Sequence, residues 1–124
     1  MKGKILIVSE IPFHEGIWAM EEAGFKVEAT QNYPQGLKQL DESLPDLVII
    51  DEMLPGVNGW EACSRLRQMT DIPIILLGAD RSGQAVARAI NQGADTYMFK
   101  PVSTDELKAR VNALLRRYKK GGGR

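Results

Sequence analysis

Asp51 is the residue of this chain best placed to do chemistry. It closes the apolar run Leu47-Val48-Ile49-Ile50, and Pro55-Gly56 breaks the chain soon after. Four consecutive apolar residues are too few for an ordinary helix and too apolar for an exposed strand, so both faces should be covered, as in a central parallel strand. A carboxylate at the carboxyl end of such a strand lies where open α/β sheets place their ligands. Other apolar runs end on polar groups too: Ile5 to Val8 on Ser9-Glu10, and Thr96 to Phe99 on Lys100. Taken singly, each has a plainer reading. Asp51 is then a solvated strand-end acid, Glu10 an acid that only repels it, and Lys100 a surface lysine before a turn.

The elements that must bring these groups together follow from periodicity and turn chemistry. Ile5 to Val8, with its β-branched residues, reads as a first buried strand. Phe13, Ile17 and Met20 recur at helical spacing after Pro12, whose fixed φ suits a first turn, and Gly24 marks the end. Lys26 to Thr30 alternate like an edge strand, and Leu37, Leu40 and Leu44 line one face of a second helix that Pro45 closes. After the Asp51 strand, Asn58 suits the N-cap of a third helix with Ala62, Leu66 and Met69 inward. Ile72 to Leu77 is a buried strand ending at Gly78. Ser82 then caps a fourth helix with Val86 and Ile90 inward and Gly93 as its stop. Thr96 to Phe99 form the last strand. Ser103 and Glu106 make a capping box for a final helix that buries Leu107, Val111, Leu114 and Leu115.

This strict alternation implies an α/β domain: a flavodoxin-like (βα)5 three-layer sandwich whose parallel five-stranded sheet has the order 2-1-3-4-5, with right-handed crossovers and helices on both faces. In that order the first and third strands are neighbours. Ser9, Glu10 and Asp51 therefore converge at one edge, and Gly78 and Lys100 arrive from the fourth and fifth strands.

Composition narrows the function classes. A chain of 124 residues is long enough for one real core and too short for two. Residues 1–119 are expected to form the domain, and 120–124, with Gly121-Gly122-Gly123, a flexible tail or linker stub. Sixteen basic residues balance sixteen acidic ones, which favours neither nucleic acid nor a membrane surface as partner. Cys63 is the single cysteine, and no apolar run nears the roughly 18 residues of a membrane span. A cytoplasmic, reducing location is expected. His14 has no second histidine or cysteine cluster with which to bind a transition metal.

Five stretches occurring in order carry a resemblance: Lys-Ile-Leu-Ile-Val near the start, Pro-Asp-Leu-Val-Ile-Ile-Asp-Glu-Met-Leu-Pro-Gly-Val-Asn-Gly-Trp-Glu around Asp51, Ile-Pro-Ile-Ile-Leu-Leu, Gly-Ala-Asp-Thr-Tyr, and Phe-Lys-Pro. Over nearly its whole length the chain resembles the CheY-like receiver domain of bacterial two-component response regulators. The resemblance implies that Asp51 is the phosphoacceptor, attacking a phosphohistidine or a small phosphodonor to form an acyl phosphate. It implies Mg²⁺ held by Glu10, by Asp51 and by the backbone carbonyl of Met53, with Lys100 as the assisting cation. The chemistry agrees, since a carboxylate meeting an anionic phosphoryl group needs positive charge nearby.

Three positions depart from the family's pattern. Ser9 stands where the family usually has a second acid, and the lost charge weakens Mg²⁺ binding. Gly78 stands where a Thr or Ser is usual, so no hydroxyl is available to a phosphoryl oxygen there and Tyr97, the switch aromatic, loses its usual partner. Only thirteen residues, Ile11 to Ala23, separate Glu10 from Gly24, a shorter loop and first helix than usual, with Phe13 and Trp18 as candidate contacts.

The function expected is that of a phosphorelay receiver, regulatory and not an enzyme beyond its own phosphoryl transfer and dephosphorylation. A histidine kinase or phosphotransferase would be its donor, and its output transcriptional. The alternative is a phosphorylation-independent docking or dimerisation module, motivated by Ser9 and Gly78. The resemblance also implies a homodimer through the last strand and its flanking helices, with Asp95 pairing with Arg110 or Arg116 of the second copy. DNA contact by this domain is not expected. A flavin enzyme of the same sheet order would need a phosphate cradle that Ser9-Glu10-Ile11-Pro12-Phe13 does not provide.

Overall fold

A computed structural model of the chain describes residues 2–10 and 13–120, the last two by their backbone alone. The expected role of Pro12 and the glycine-rich tail at 121–124 lie outside the described residues. The main sheet is built from β1 (Gly3–Val8), β2 (Phe25–Thr30), β3 (Leu47–Asp51), β6 (Ile74–Gly78) and β7 (Thr96–Phe99). All four pairings are parallel and the order is β2-β1-β3-β6-β7, the order expected for five strands. Two short strands not foreseen, β4 (Met53–Leu54) and β5 (Val57–Asn58), form an antiparallel hairpin just past Asp51. Its turn carries Gly56 at φ 77°, a conformation that glycine adopts without strain.

Five helices complete the layers: α1 (His14–Glu22), α2 (Tyr33–Ser43), α3 (Gly59–Met69), α4 (Gly83–Asn91) and α5 (Thr104–Lys120). Strand side chains alternate between faces, so the apolar runs feed two cores at once. Ile5, Ile7, Ile49, Ile75, Leu77 and Met98 meet α1 and α5 on one face. Leu6, Val8, Ile50, Leu76 and Tyr97 meet α2, α3 and α4 on the other. The caps fall where the sequence placed them. Asn58 Oδ1 accepts from the Glu61 N–H at 2.7 Å, Ser82 Oγ from the Ala85 N–H at 3.1 Å and Ser103 Oγ from the Glu106 N–H at 3.2 Å.

Three inward assignments are corrected. Leu44 is not on the buried face of α2; it is the helix's C-cap, in the left-handed region at φ 51°, and 76% exposed. Met69, the last residue of α3, is 54% exposed. On α4 the buried face is Ala85 and Ala89, with Val86 half-buried and Ile90 45% exposed. Alanines let the helix lie close to the sheet, which turns the larger side chains to its flank. The final helix continues through Lys120, one residue into the stretch read as tail.

Candidate functional site

The register fixes the edge at which β1, β3, β6 and β7 end together. Val8 pairs with Ile50, Asp51 with Leu77 and Gly78 with Phe99, so Ser9, Asp51, Gly78 and Lys100 all fall at one end of the sheet. Asp51 is buried, with 4% of its surface exposed. The Lys100 ammonium donates to both of its carboxylate oxygens, at 3.0 Å to Oδ1 and 2.8 Å to Oδ2. The Met53 N–H donates to Oδ1 at 2.8 Å, so the turn into the hairpin helps hold the carboxylate. Lys100 is placed by its own backbone, whose N–H donates to the Gly78 carbonyl at 2.8 Å and extends the ladder one step past β7. The acid and amine that the sequence suggested are thus in direct contact.

A cavity of about 420 Å³ opens beside them, lined by Ser9, Phe13, His14, Asp51, Lys100 and Val102 among others. It gives a small group a route to the Asp51 carboxylate from the α1 and α5 side. Glu10 is exposed and lines a second groove with Glu52 and Met53. Among the described residues no three acids, histidines or cysteines gather into a metal-binding group. The oxygens that the resemblance assigns to Mg²⁺, two carboxylates and a backbone carbonyl, are hard donors of the kind that cation takes, but Glu10 lines the second groove and Asp51 the cavity.

Gly78 and Tyr97 meet as well, though in a way the sequence did not reveal. Tyr97 is buried and its hydroxyl lies over Gly78, donating to Glu52 Oε1 at 3.1 Å. The other carboxylate oxygen of Glu52 accepts from the Ala79 N–H at 3.3 Å. Tyr97 has lost the hydroxyl partner expected in this fold and has gained a carboxylate. Burial, and then the negative charge of Glu52, push its phenol up to about 12. Glu52 is the site residue that sequence reasoning missed; its only signal was a second acid directly after Asp51.

Several other polar groups have structural work. Asp95 is engaged inside the chain, accepting from Arg67 at 2.7 Å, the Ile74 N–H at 2.8 Å and the Tyr118 hydroxyl at 2.8 Å. Within the chain Arg67 is the arginine on Asp95, and Arg110 pairs with Glu106 at 3.6 Å. His14 is exposed, Cys63 is buried, and burial raises its thiol to about 12, which leaves it a core residue.

Residues 5–112 match the response regulator receiver domain family. The chain belongs to that family. It is 47% identical over 103 residues to the phosphate regulon transcriptional regulatory protein PhoB of Rhizobium meliloti (strain 1021), covering 81% of this chain and 45% of that protein. It is 38% identical over 122 residues to the protein of the same name from Escherichia coli (strain K12), covering 94% of this chain and 53% of that one. The receiver thus spans about half the length of the curated relatives it matches. A two-component response regulator from Clostridium difficile superposes with a TM-score of 0.87 at 28% identity, covering 92% of this chain and 96% of the other. Among the described residues no helix is long and apolar enough to cross a membrane.

Proposed function

We propose that this response regulator receiver accepts a phosphoryl group on Asp51. The observation that carries the reading is the two-pronged contact of Lys100 with a buried carboxylate beside an open cavity. An Asp51 carboxylate oxygen attacks phosphorus, the new O–P bond forms an acyl phosphate, and the bond to the donor's imidazole nitrogen or acyl oxygen breaks with its electron pair. The Lys100 side chain, in contact with both carboxylate oxygens, stabilises charge on the transferred oxygens. The Met53 N–H orients the nucleophile.

Glu10, Asp51 and the Met53 carbonyl would hold Mg²⁺, which supplies further positive charge to the phosphoryl oxygens when bound. With Ser9 in place of an acid the site carries less charge, so its Mg²⁺ affinity is low. The donor is a histidine kinase or phosphotransferase and the output transcriptional, by likeness to relatives named as transcriptional regulators. The domain is regulatory and not an enzyme in its own right, working in the cytoplasm, with a homodimer through β7, α4 and α5 as its assembly.

The test is intact mass after incubation with acetyl phosphate and Mg²⁺. Gain of one phosphoryl group, lost in Asp51→Asn, is the result expected. No gain, while a standard receiver reacts in parallel, would sink the reading. A second reading, constitutive docking without phosphorylation, is favoured by Tyr97 already being seated inward. It predicts that Asp51→Ala leaves output in cells unchanged.

A further inference from the structure

The notch above Gly78 is filled by two side chains from distant parts of the chain. A Cβ built on Gly78 would overlap the Tyr97 hydroxyl oxygen, with Tyr97 Cζ 2.6 Å and Glu52 Cδ 2.7 Å away. Real Cβ contacts are not that short, so the observed seat of the Tyr97 ring exists only because position 78 has no side chain. Tyr97 pairs with Leu76 in the ladder, two residues before Gly78 and on the same face, so the ring has only to lean along the sheet to reach it.

Once seated, the ring is held from several sides. Its hydroxyl donates to Glu52, and Glu52 also takes the Ala79 N–H, so one carboxylate ties the end of β3 to β7 and to the loop after β6. Phe99 lies against Tyr97 with centroids 5.7 Å apart, and Arg81 from the same loop stacks on Phe99 at 4.8 Å. None of these contacts involves Asp51, and nothing at position 78 can reach towards it.

We propose that Glu52, Gly78 and Tyr97 form a standing latch, in which the ring stays inward whether or not Asp51 carries a phosphoryl group. The surface built by the 79–82 loop, the start of α4 and β7 is therefore presented constitutively. Phosphorylation must be read out elsewhere, on the α1 and α5 side where the cavity beside Asp51 opens. The role of Glu52 is that of a positioning residue.

The experiment is fluorine NMR of the whole chain carrying meta-fluorotyrosine. The chain has three tyrosines, and Tyr97→Phe assigns the resonance of interest. Acetyl phosphate and Mg²⁺ are added with intact mass read on the same sample. The Tyr97 resonance is expected to stay in place when the mass shows phosphorylation, and to move to a solvent-exposed position in Gly78→Ala. In Glu52→Ala it should broaden and gain a solvent isotope shift, which keeps the test decisive if Gly78→Ala fails to fold. A Tyr97 resonance that moves on phosphorylation overturns the latch. So does one indifferent to a folded Gly78→Ala, or to Glu52→Ala. If the mass never rises, the phosphoryl-acceptor reading has failed instead, and the two variants alone still decide the latch.

Discussion

Replacing Lys100 by methionine keeps most of the side-chain volume and removes the ammonium. In the native site that ammonium lies 3.0 and 2.8 Å from the two oxygens that would attack or flank the incoming phosphorus. Deleting a donor of this kind from a dry site costs about 10² to 10³ in rate, and screening lowers the figure. The Lys100 side chain is 28% exposed, so the low end applies, about 100-fold or roughly 2.7 kcal/mol of barrier. The change should also appear in stability. Without the ammonium, the Asp51 carboxylate loses a charge-assisted bond worth about 1.5–3 kcal/mol, partly offset by water entering from the adjoining cavity. Adding Asp51→Asn removes the stranded charge, so the double variant should be more stable than Lys100→Met alone. The assays are an intact-mass time course with acetyl phosphate and Mg²⁺, and urea midpoints for the full cycle. A phosphorylation rate within about threefold of wild type, less than 1 kcal/mol of barrier, would refute the part assigned to Lys100.

Arg67 donates to the carbonyls of Gly93, Thr70 and Ile72 and to Asp95, so Arg67→Met should lower unfolding free energy by about 3 kcal/mol; a loss below about 0.5 kcal/mol in urea titration would show those bonds to be idle. Asn58→Ala and Ser82→Ala each remove a helix N-cap and should cost about 1 kcal/mol apiece, additively in the double variant. Cys63 and Tyr97 keep their protons to about 12 in the folded chain, against ordinary values of 9.0 and 10.0. The unfolded chain then binds fewer protons over that range, so stability is full below the lower limit and falls as pH rises through it, and Tyr97→Phe should flatten part of the slope in urea midpoints taken at increasing pH. The Cys63 thiol should react with Ellman's reagent only after denaturation; prompt labelling of the native chain would show the core there to be open.

Most of the fold was legible because its strands are short apolar runs closed by polar residues, and because Asn58, Ser82 and Ser103 announce helix starts by chemistry that needs no tertiary context. The errors came where large apolar residues were given more weight than small ones. Ala85 and Ala89 bury α4 against the sheet because they are small, and a search for a leucine-like stripe selects Ile90, which is exposed, beside Val86, which does pack at the edge of the core. Leu44 fits the helical spacing of α2, yet the residue before Pro45 disfavours helical backbone and takes the cap instead. The Asp51 and Lys100 pair was visible, since strand ends and sheet order suffice to bring them together. The Glu52 contact with Tyr97 was not, for it joins residues 45 apart and depends on the empty volume at Gly78, which in the sequence registers only as a missing hydroxyl.

The alternation of a strand separates the Asp51 and Lys100 pair from the Glu52 and Tyr97 contact in this chain. Ile49, Leu77 and Met98 belong to the core under α1 and α5, and Asp51 and Lys100 continue that side by the period of two. Ile50, Leu76 and Tyr97 belong to the core under α2, α3 and α4, and Glu52 turns towards Tyr97 on that side. Two consecutive acids at one strand end therefore serve opposite faces. A hydroxyl at position 78 would give the second face a group able to answer a charge on the first, whereas glycine removes that group and opens the seat for the Tyr97 ring. The pairing of Lys100 with Asp51 is untouched, because Gly78 serves it only through a backbone carbonyl, which accepts from the Lys100 N–H. One residue type can thus leave the Asp51 and Lys100 pair intact on one face while seating the Tyr97 ring on the other.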